Sequence, residues 1–323
     1  MYTITRYSKN DHDQWNAFVQ ASKNGTFLFD RNFMEYHADR FEDHSILIFK
    51  DKKLKALLPA NVVAGVAYSH QGLTYGGLIL DFKIHLSDVI AIMGQVLQYF
   101  YNAGITKLVV KCIPPIYHKV PAQEMEYALF LANAKLIRRD SLSVIEYDAA
   151  IGFSTSRKQG IKRGLDNGLQ IIEDDNFSLF WAEILLPNLQ KKHNAVPVHS
   201  LDQILSLKER FPKNIRQFNM YHEGRIVAGT TIFETETLAH AQYISGNDDR
   251  TLLGSVDYLY GHLIETVFAH KKYFDFGTSN EGQGQKLNGG LSFWKESYGA
   301  RTLIQDFYEA DTANFSLLDN VII

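Results

Sequence analysis

One order of predicted secondary-structure elements occurs twice in this sequence, once in each half of the chain. Apolar residues spaced three and four apart predict helices, short or alternating apolar runs predict strands, and Gly, Pro and polar clusters mark turns. In the first half these signals predict two short helices, a hairpin leading into further strand, a long helix, a strand, a helix and a closing strand, at 11–21, 30–40, 45–49 with 54–58, 61–68, 88–103, 105–112, 121–134 and 136–147.

The second half follows the same plan. Two helices precede a three-stranded meander, a long helix, a short strand, a helix and a last strand, at 177–192, 201–211, 215–221, 226–233, 238–244, 255–270, 274–276, 287–298 and 301–307. The length of 323 residues suits two domains at about 100–200 residues each. We therefore predict an α+β fold with two domains, 1–150 and 151–323, each a mixed, mostly antiparallel central sheet flanked by helices.

Composition and charge describe a folded chain and exclude several classes. Hydrophobic residues make up 46% and charged residues 21%, unlike disordered segments. The 33 basic and 36 acidic side chains leave a net charge of −3, so no overall basic field favours DNA. The single cysteine, Cys112, and the scattered histidines predict neither a disulfide nor a metal site. Without a signal-peptide pattern or an apolar run of about 20 residues, we expect a cytoplasmic protein with no membrane span.

Motifs that would identify a common enzyme class directly are missing. The sequence has no Gly-x-x-x-x-Gly-Lys-Ser/Thr loop, no Gly-x-Ser-x-Gly turn and no His-Glu-x-x-His pair. Asp275-Phe276-Gly277 matches the magnesium-binding tripeptide of kinases, but no His-Arg-Asp loop precedes it and no Gly-rich loop with a strand lysine lies upstream. These absences disfavour an NTPase, a hydrolase, a metalloprotease and a kinase.

The segment 275–299 is the candidate for chemistry. A strand is predicted to end in a Gly-rich polar loop that leads into a helix. Backbone N–H groups in such loops and at helix starts bind oxyanions or carboxylates, and Thr278, Asn280 and Asn288 add side-chain donors. The alternative is a surface turn whose glycines serve only backbone geometry.

Four parts of the sequence resemble Fem-type (FemAB-like) transferases of the Gcn5-related N-acyltransferase (GNAT) superfamily. The ending resembles that group's "DFG … GL..FK..FG" pattern, and a basic helix resembles its "R..IRKA" segment. The resemblance extends over nearly the whole chain and is carried by 15–19 with 24–27, 68–78, 154–165, and 275–277 with 288–291 and 293–299.

The resemblance implies two tandem GNAT-like domains with the active site in the C-terminal one. It implies transfer of an acetyl, acyl or aminoacyl group to an amine of a small or cell-envelope precursor substrate, without a covalent enzyme intermediate. Such a reaction needs an uncharged amine, placement of both substrates and stabilisation of a tetrahedral oxyanion. Lys295 matches the family's lysine and is the candidate for oxyanion stabilisation; without the resemblance it reads as a surface lysine.

Further side chains are candidates for substrate binding. Arg157 and Arg163 lie with helical spacing in a basic segment, so they either bind donor phosphate or belong to a solvated basic face. Arg250 lies where the superfamily binds the CoA pyrophosphate. His70 and Tyr75 are candidates for a sugar or acyl pocket, with packing in the core as the alternative.

The donor stays open between acyl-CoA and aminoacyl-tRNA. The superfamily's pyrophosphate loop reads Gln/Arg-x-x-Gly-x-Gly/Ala, whereas the segment 250–255 has a shifted spacing. Ligases of the group that use tRNA often carry an inserted coiled coil, which this sequence lacks, and the net charge of −3 does not favour tRNA. Two alternatives to an enzyme are an inactive GNAT-fold module that binds a nucleotide-sugar or glycan, and an interaction protein whose aromatic residues form a dimer interface.

Overall fold

The computed structural model describes residues 2–193 and 195–322, which divide into two compact units. The first unit contains residues 2–140, Gln283–Gln285 and 304–322, and the second contains Ser141–Gly282 and Lys286–Leu303. The last segment of the chain therefore belongs to the first unit.

The first unit combines a four-stranded sheet, part of a second sheet, and helices. The four-stranded sheet β1-β2-β3-β6 is antiparallel; the strands β4-β5-β7-β16 of the second sheet lie in this unit, and among them only β5 and β7 pair in parallel. Its elements are β1 (Tyr2–Arg6), α1 (His12–Ala21), α2 (Arg31–Met34), β2 (Ile46–Lys50), β3 (Lys53–Leu58), β4 (Asn61–Val63), β5 (Val66–Tyr68), β6 (Ile79–Leu80), α3 (Leu86–Asn102), β7 (Lys107–Lys111), α4 (Glu124–Leu131), the start of β8 (Lys135–Glu146) and the end of β16 (Arg301–Asp311).

Helix α3 carries the core of the first unit. One face of the helix is apolar at three- and four-residue spacing, and its side chains, including Val89, Ile92, Val96 and Phe100, are fully buried. Leu318, near the end of the chain, packs into the same cluster. The sequence-predicted apolar face of this helix is confirmed.

The second unit contains six neighbouring strands in the order β8-β13-β12-β11-β10-β9, which pair antiparallel except between β12 and β13. Its further elements are α5 (Thr155–Asp166), β9 (Gln170–Glu173), α6 (Phe177–Phe180) continuing through a π-helical turn into α7 (Leu186–His193), α8 (Leu201–Arg210), β10 (Ile215–His222), β11 (Arg225–Glu234), β12 (Leu238–Gly246), α9 (Arg250–Leu253), α10 (Ser255–His262) with a π-helical turn to Val267, β13 (Tyr273–Thr278), β14 (Asn280–Glu281), β15 (Lys286–Leu287) and α11 (Gly289–Glu296).

The α+β class and the mixed, mostly antiparallel sheets flanked by helices, as predicted from the sequence, are confirmed. The helix predicted at 30–40 is shorter: Asp30 caps it through the Asn32 N–H at 2.9 Å, and after Met34 the chain tightens into a 3-10 turn. The prediction missed five short strands, β1, β6, β9, β14 and β15. Over residues 2–193 and 195–322, no helix is both long enough and apolar enough to cross a membrane.

Candidate functional site

A fork between two parallel strands lies in the second unit. Strands β12 and β13 pair at only three positions, the last of them His240 with Asp275. Beyond this point β12 continues to Gly246, while the register of β13 against β8 shifts after Asp275 and Gly277 takes a φ of +69°. The two strands therefore separate at their carboxyl ends, where binding sites of open sheets commonly lie.

A cavity of about 570 Å³ opens at the far end of β12, within the usual range for small-molecule sites. Its walls come from α5, the end of α6–α7, the end of β12, the segment leading into α10, and α11. The lining residues are Arg157, Leu185, Asn188, Leu189, Ile244, Ser245, Gly246, Arg250, Thr251, Val256, Asp257, Asn288, Gly290, Leu291 and Trp294.

Glycines of α5 allow α10 to approach the cavity wall. A Cβ on Gly160 would lie 1.9 Å from Asp257 Oδ2, and a Cβ on Gly164 would lie 2.4 Å from Tyr258 Cβ. Both are distances that real side chains do not tolerate. Because these glycines are four residues apart on one face of α5, the two helices pack closely enough to bring Arg157 and Asp257 together.

Arg157 and Asp257 form an ion pair at the cavity wall. The Tyr298 hydroxyl donates to the same Asp257 Oδ1 at 3.2 Å, and the Arg157 guanidinium lies 5.8 Å from the Tyr298 ring centroid. Burial raises the pKa of Asp257, and the Arg157 charge offsets part of that effect. The Arg157 Nε is buried without a partner among the described residues.

Two other arginines near the cavity have no carboxylate within ion-pair distance among residues 2–193 and 195–322. Arg250 Nη1 donates to the Asn247 carbonyl at 3.1 Å, and Arg163 Nη1 donates to the Thr251 carbonyl at 2.5 Å. Gly254 then turns the chain with a φ of +71°, and α10 begins with Ser255. The first N–H groups of that helix have no intrahelical acceptors, so this end of the cavity favours an anion.

Amide side chains order the remaining cavity wall. Asn188 Nδ2 donates to Ser245 Oγ at 2.8 Å and to the Gly246 carbonyl at 2.7 Å, which fixes the end of β12. Asn288 caps α11, its Oδ1 accepting from the Leu291 N–H at 3.1 Å. Asn288 is therefore both a lining residue and the reason that α11 begins where it does.

Lys295 is buried next to the fork rather than exposed on a helix surface. Its Nζ donates to the carbonyls of Gly277 at 3.0 Å and Thr278 at 2.7 Å, which leaves one N–H of the ammonium without a partner among the described residues. Burial lowers the pKa of Lys295 to about 8, an effect that the Asp275 carboxylate partly opposes. Lys295 is 2% exposed and does not line the cavity, although it shares a face of α11 with the lining residue Leu291.

Thr278 and Asn280 organise the loop after β13. Thr278 Oγ1 donates to Asn280 Oδ1 at 3.0 Å, and Asn280 Oδ1 also accepts from the Ser141 N–H at 2.7 Å. Neither residue lines the cavity.

His70 and Tyr75 lie in the first unit and are packed there. The His70 ring stacks on His37 at 5.0 Å between centroids, and burial lowers the pKa of His70 to about 3. The Tyr75 hydroxyl lies 2.9 Å from Thr26 Oγ1, and its side chain is 1% exposed. Their suggested contact with a sugar or acyl group stays a prediction.

Of the residues singled out from the sequence, the structure brings Arg157, Arg250 and Asn288 into one cavity wall. Sequence reasoning missed Asp257 and Ser245. Only the Gly160-x-x-x-Gly164 spacing signalled that a partner element packs closely on α5. Among residues 2–193 and 195–322, no group of three or more His, Cys, Asp or Glu side chains could hold a metal ion.

Comparison with known proteins finds similarity at the level of structure. No protein-family model matches the chain, and no curated protein matches it. The structure named FemX matches with a TM-score of 0.69 and 10% identity, covering 96% of this chain and 97% of that chain. The structure of L-PGS from Bacillus licheniformis, a lysylphosphatidylglycerol synthetase, matches with a TM-score of 0.58 and 11% identity over 95% of each chain.

A tandem GNAT protein from the clavulanic acid biosynthesis pathway matches with a TM-score of 0.53 and 11% identity, covering 97% of this chain and 99% of that chain. At these identities the matches show the fold. The chain has the tandem GNAT-type fold of Fem-like transferases, and the resemblance seen in the sequence is confirmed at that level.

Proposed function

We propose that this protein is an N-acyltransferase that moves an acyl or aminoacyl group from an activated, phosphate-bearing donor to an amine. The observation that carries the proposal is the cavity at the end of β12, which has an anion-favouring end at Arg250 and α10 and lies on the strand that leads back to the fork. A donor with its phosphate near Arg250 would extend along β12, so that its acyl carbon approaches the fork. The similarity of fold over nearly the whole chain supports the same reaction class.

The chemistry required is positioning and electrostatics. The amine attacks the acyl carbonyl carbon, and the oxyanion that forms needs a donor aimed at it. Lys295 is the proposed donor, because it lies beside the fork, two of its N–H groups hold the end of β13, and the third has no partner among the described residues. Such a reaction proceeds through a tetrahedral intermediate without a covalent link to the enzyme.

Two donors satisfy this proposal, an acyl-CoA and an aminoacyl-tRNA. Both carry phosphate beside an activated carbonyl. In place of a compact loop, the segment before α10 contains the short helix α9, whose Arg250 and Thr251 line the cavity. The acceptor is proposed to be an amine on a small or cell-envelope precursor molecule, as the Fem-type resemblance implies.

The experiment is a thermal-shift panel with CoA, acetyl-CoA, uncharged tRNA and UDP-sugars, followed by transfer assays with acetyl-CoA and aminoacyl-tRNA and a set of amine acceptors. A ligand at 100 times its Kd stabilises the fold by about 2.7 kcal/mol. We expect one donor class to raise the Tm and to yield an amide product.

Arg250→Ala should lose the shift, and the matched control Arg225→Ala, an exposed arginine at the start of β11, should keep it. A Tm shift by UDP-sugars alone, with no product from either donor, would contradict the enzyme and support a binding module. No shift and no transfer with any donor would contradict the proposal as a whole.

A further inference from the structure

A histidine and an aspartate meet at the apex of the fork. His240 of β12 and Asp275 of β13 are the last paired residues of the two strands, and His240 Nδ1 lies 2.8 Å from Asp275 Oδ2. The other carboxylate oxygen of Asp275 accepts from the Gly277 N–H at 2.7 Å. Asp275 is only 1% exposed, so both its oxygens and its orientation are fixed by the fold.

The second ring nitrogen of His240 is available. Its Nε2 has no hydrogen-bond partner among the described residues, and the side chain keeps 13% of its surface exposed. A carboxylate that accepts at Nδ1 holds the proton there, which leaves the lone pair on Nε2. This is the arrangement that lets an imidazole accept a proton from a nucleophile.

The position of the pair is not explained by packing. Their neighbours across the adjacent strands are Phe233 on β11, paired with His240, and Val144 on β8, paired with Asp275. Both neighbours are apolar, and burying a polar pair among such residues costs free energy that its hydrogen bonds must offset, whereas an apolar pair would pack there without that cost. His240 also lies four residues before the cavity-lining Ile244, about 13 Å along the strand at about 3.3 Å per residue.

We propose that His240 is the proton acceptor for the attacking amine, with Asp275 as its positioning residue. The assignment rests on the proposed function. The neutral amine nitrogen forms a bond to the acyl carbon, and a proton on that nitrogen passes to His240 Nε2. The bond from the acyl carbon to the thiolate or alkoxide leaving group then breaks, and the proton on the imidazolium returns to that leaving group, directly or through water.

The charged groups around the apex fit this sequence of steps. Asp275 stabilises the imidazolium that forms, and the Lys295 ammonium is close enough for the Asp275 charge to act on it. Glu234 on the neighbouring strand β11 pairs with Ala239 and projects from the opposite face of the sheet, where Lys271 and Arg216 bind it. The proposed proton acceptor, His240, therefore lies near the cation proposed to stabilise the oxyanion, Lys295.

The test compares His240→Gln and Asp275→Asn with the control His270→Gln, which changes an exposed histidine outside the site. Rates are measured against pH with whichever of acetyl-CoA or aminoacyl-tRNA supports transfer. We expect His240→Gln to lower kcat by about 100-fold or more with KM nearly unchanged, and to remove the rising acidic limb of the rate profile. The control should keep both the rate and the limb.

A measurement on the folded protein complements the kinetics. Two-bond proton–nitrogen NMR spectra of histidine-labelled protein report the tautomer, and we expect His240 to carry its proton on Nδ1 in the wild type. A proton on Nε2, or a His240→Gln enzyme with an unchanged rate and pH limb, would overturn the assignment while leaving the proposed function intact. No transfer by the wild type with either donor would overturn the proposed function, and the proton-acceptor role with it.

Discussion

Asp257 Oδ2 occupies the space directly over Gly160, so that a single added methyl group on α5 would lie 1.9 Å from that oxygen. The carboxylate at this place forms the ion pair with Arg157. The cavity wall therefore depends on the absence of a side chain on a neighbouring helix. The close contact between α5 and α10 can therefore be tested without knowledge of the substrate.

Gly160→Ala should destabilise the second unit. The new Cβ forces Asp257 or the whole of α5 to move, and overpacking of this kind costs about 1–3 kcal/mol, more than alanine gains in helix propensity. Gly289→Ala is the matched control, because a Cβ there meets nothing within 4 Å. Urea unfolding measures both variants. Equal stability of the two would show that the α5–α10 contact is looser than described.

The Arg157–Asp257 pair should show strong coupling in a double-mutant cycle. Both side chains are about one-fifth exposed, and each leaves a poorly solvated charge behind when its partner is removed. We expect a coupling free energy of about 1–3 kcal/mol from Arg157→Met, Asp257→Asn and the double variant. The Lys162–Asp166 pair on α5, far more exposed, should give about 0.5 kcal/mol or less. Similar values for the two pairs would contradict the burial assigned to Arg157 and Asp257.

Acidification should destabilise the first unit through His70. Burial, aided by His37, lowers the pKa of His70 from 6.5 to about 3, so between those values the unfolded chain binds the extra proton and stability falls as the pH falls. Between pH 7 and pH 5, protonation of His70 in the unfolded chain lowers the free energy of unfolding by about 2 kcal/mol.

His70→Asn tests the assignment, because asparagine tolerates the positive φ of 71° at this position. It should flatten the dependence of unfolding free energy on pH. His85→Gln, an exposed control, should not. If the unfolding free energy of His70→Asn depends on pH as steeply as that of the wild type, groups other than His70 cause the acid sensitivity.

Lys295 should give the transfer reaction a falling basic limb. Because burial lowers the pKa of Lys295 to about 8, the cation proposed to stabilise the oxyanion is lost as the pH rises through that value. Lys295→Met should lower kcat by about 100-fold or more, as expected for loss of an oxyanion donor.

Lys295→Arg keeps its positive charge to higher pH. Provided that the larger guanidinium fits, the falling basic limb of the rate profile should move to higher pH. Turnover in Lys295→Met that equals the wild type, with the limb retained, would remove this residue from the mechanism.

The parts of the fold that depend on local pattern could be predicted. Helix α3 follows from its apolar spacing, and the hairpin of β10 and β11 follows from alternating apolar residues around a Glu-Gly-Arg turn. The return of residues 304–322 to the first unit could not, because pairing between distant segments leaves no local signal.

The same limit applies to the site. Arg157, Arg250 and Asn288 stood out by charge, position or loop chemistry, and all three line the cavity. His240 and Asp275 are 35 positions apart, and only the parallel register of β12 and β13 brings them together. The fork begins where the pairing of β12 with β13 ends. The sequence of either strand alone does not specify that point.

The proposed activated donor binds along the fork in the second unit. A crystal structure of the protein soaked separately with CoA and with a 3′-aminoacyl-adenosine nucleotide tests this directly. We expect density for one of them with its phosphate beside Arg250 and the first turn of α10, and its acyl-bearing end directed toward His240. A ligand bound on another surface, with the cavity free of both, would contradict it.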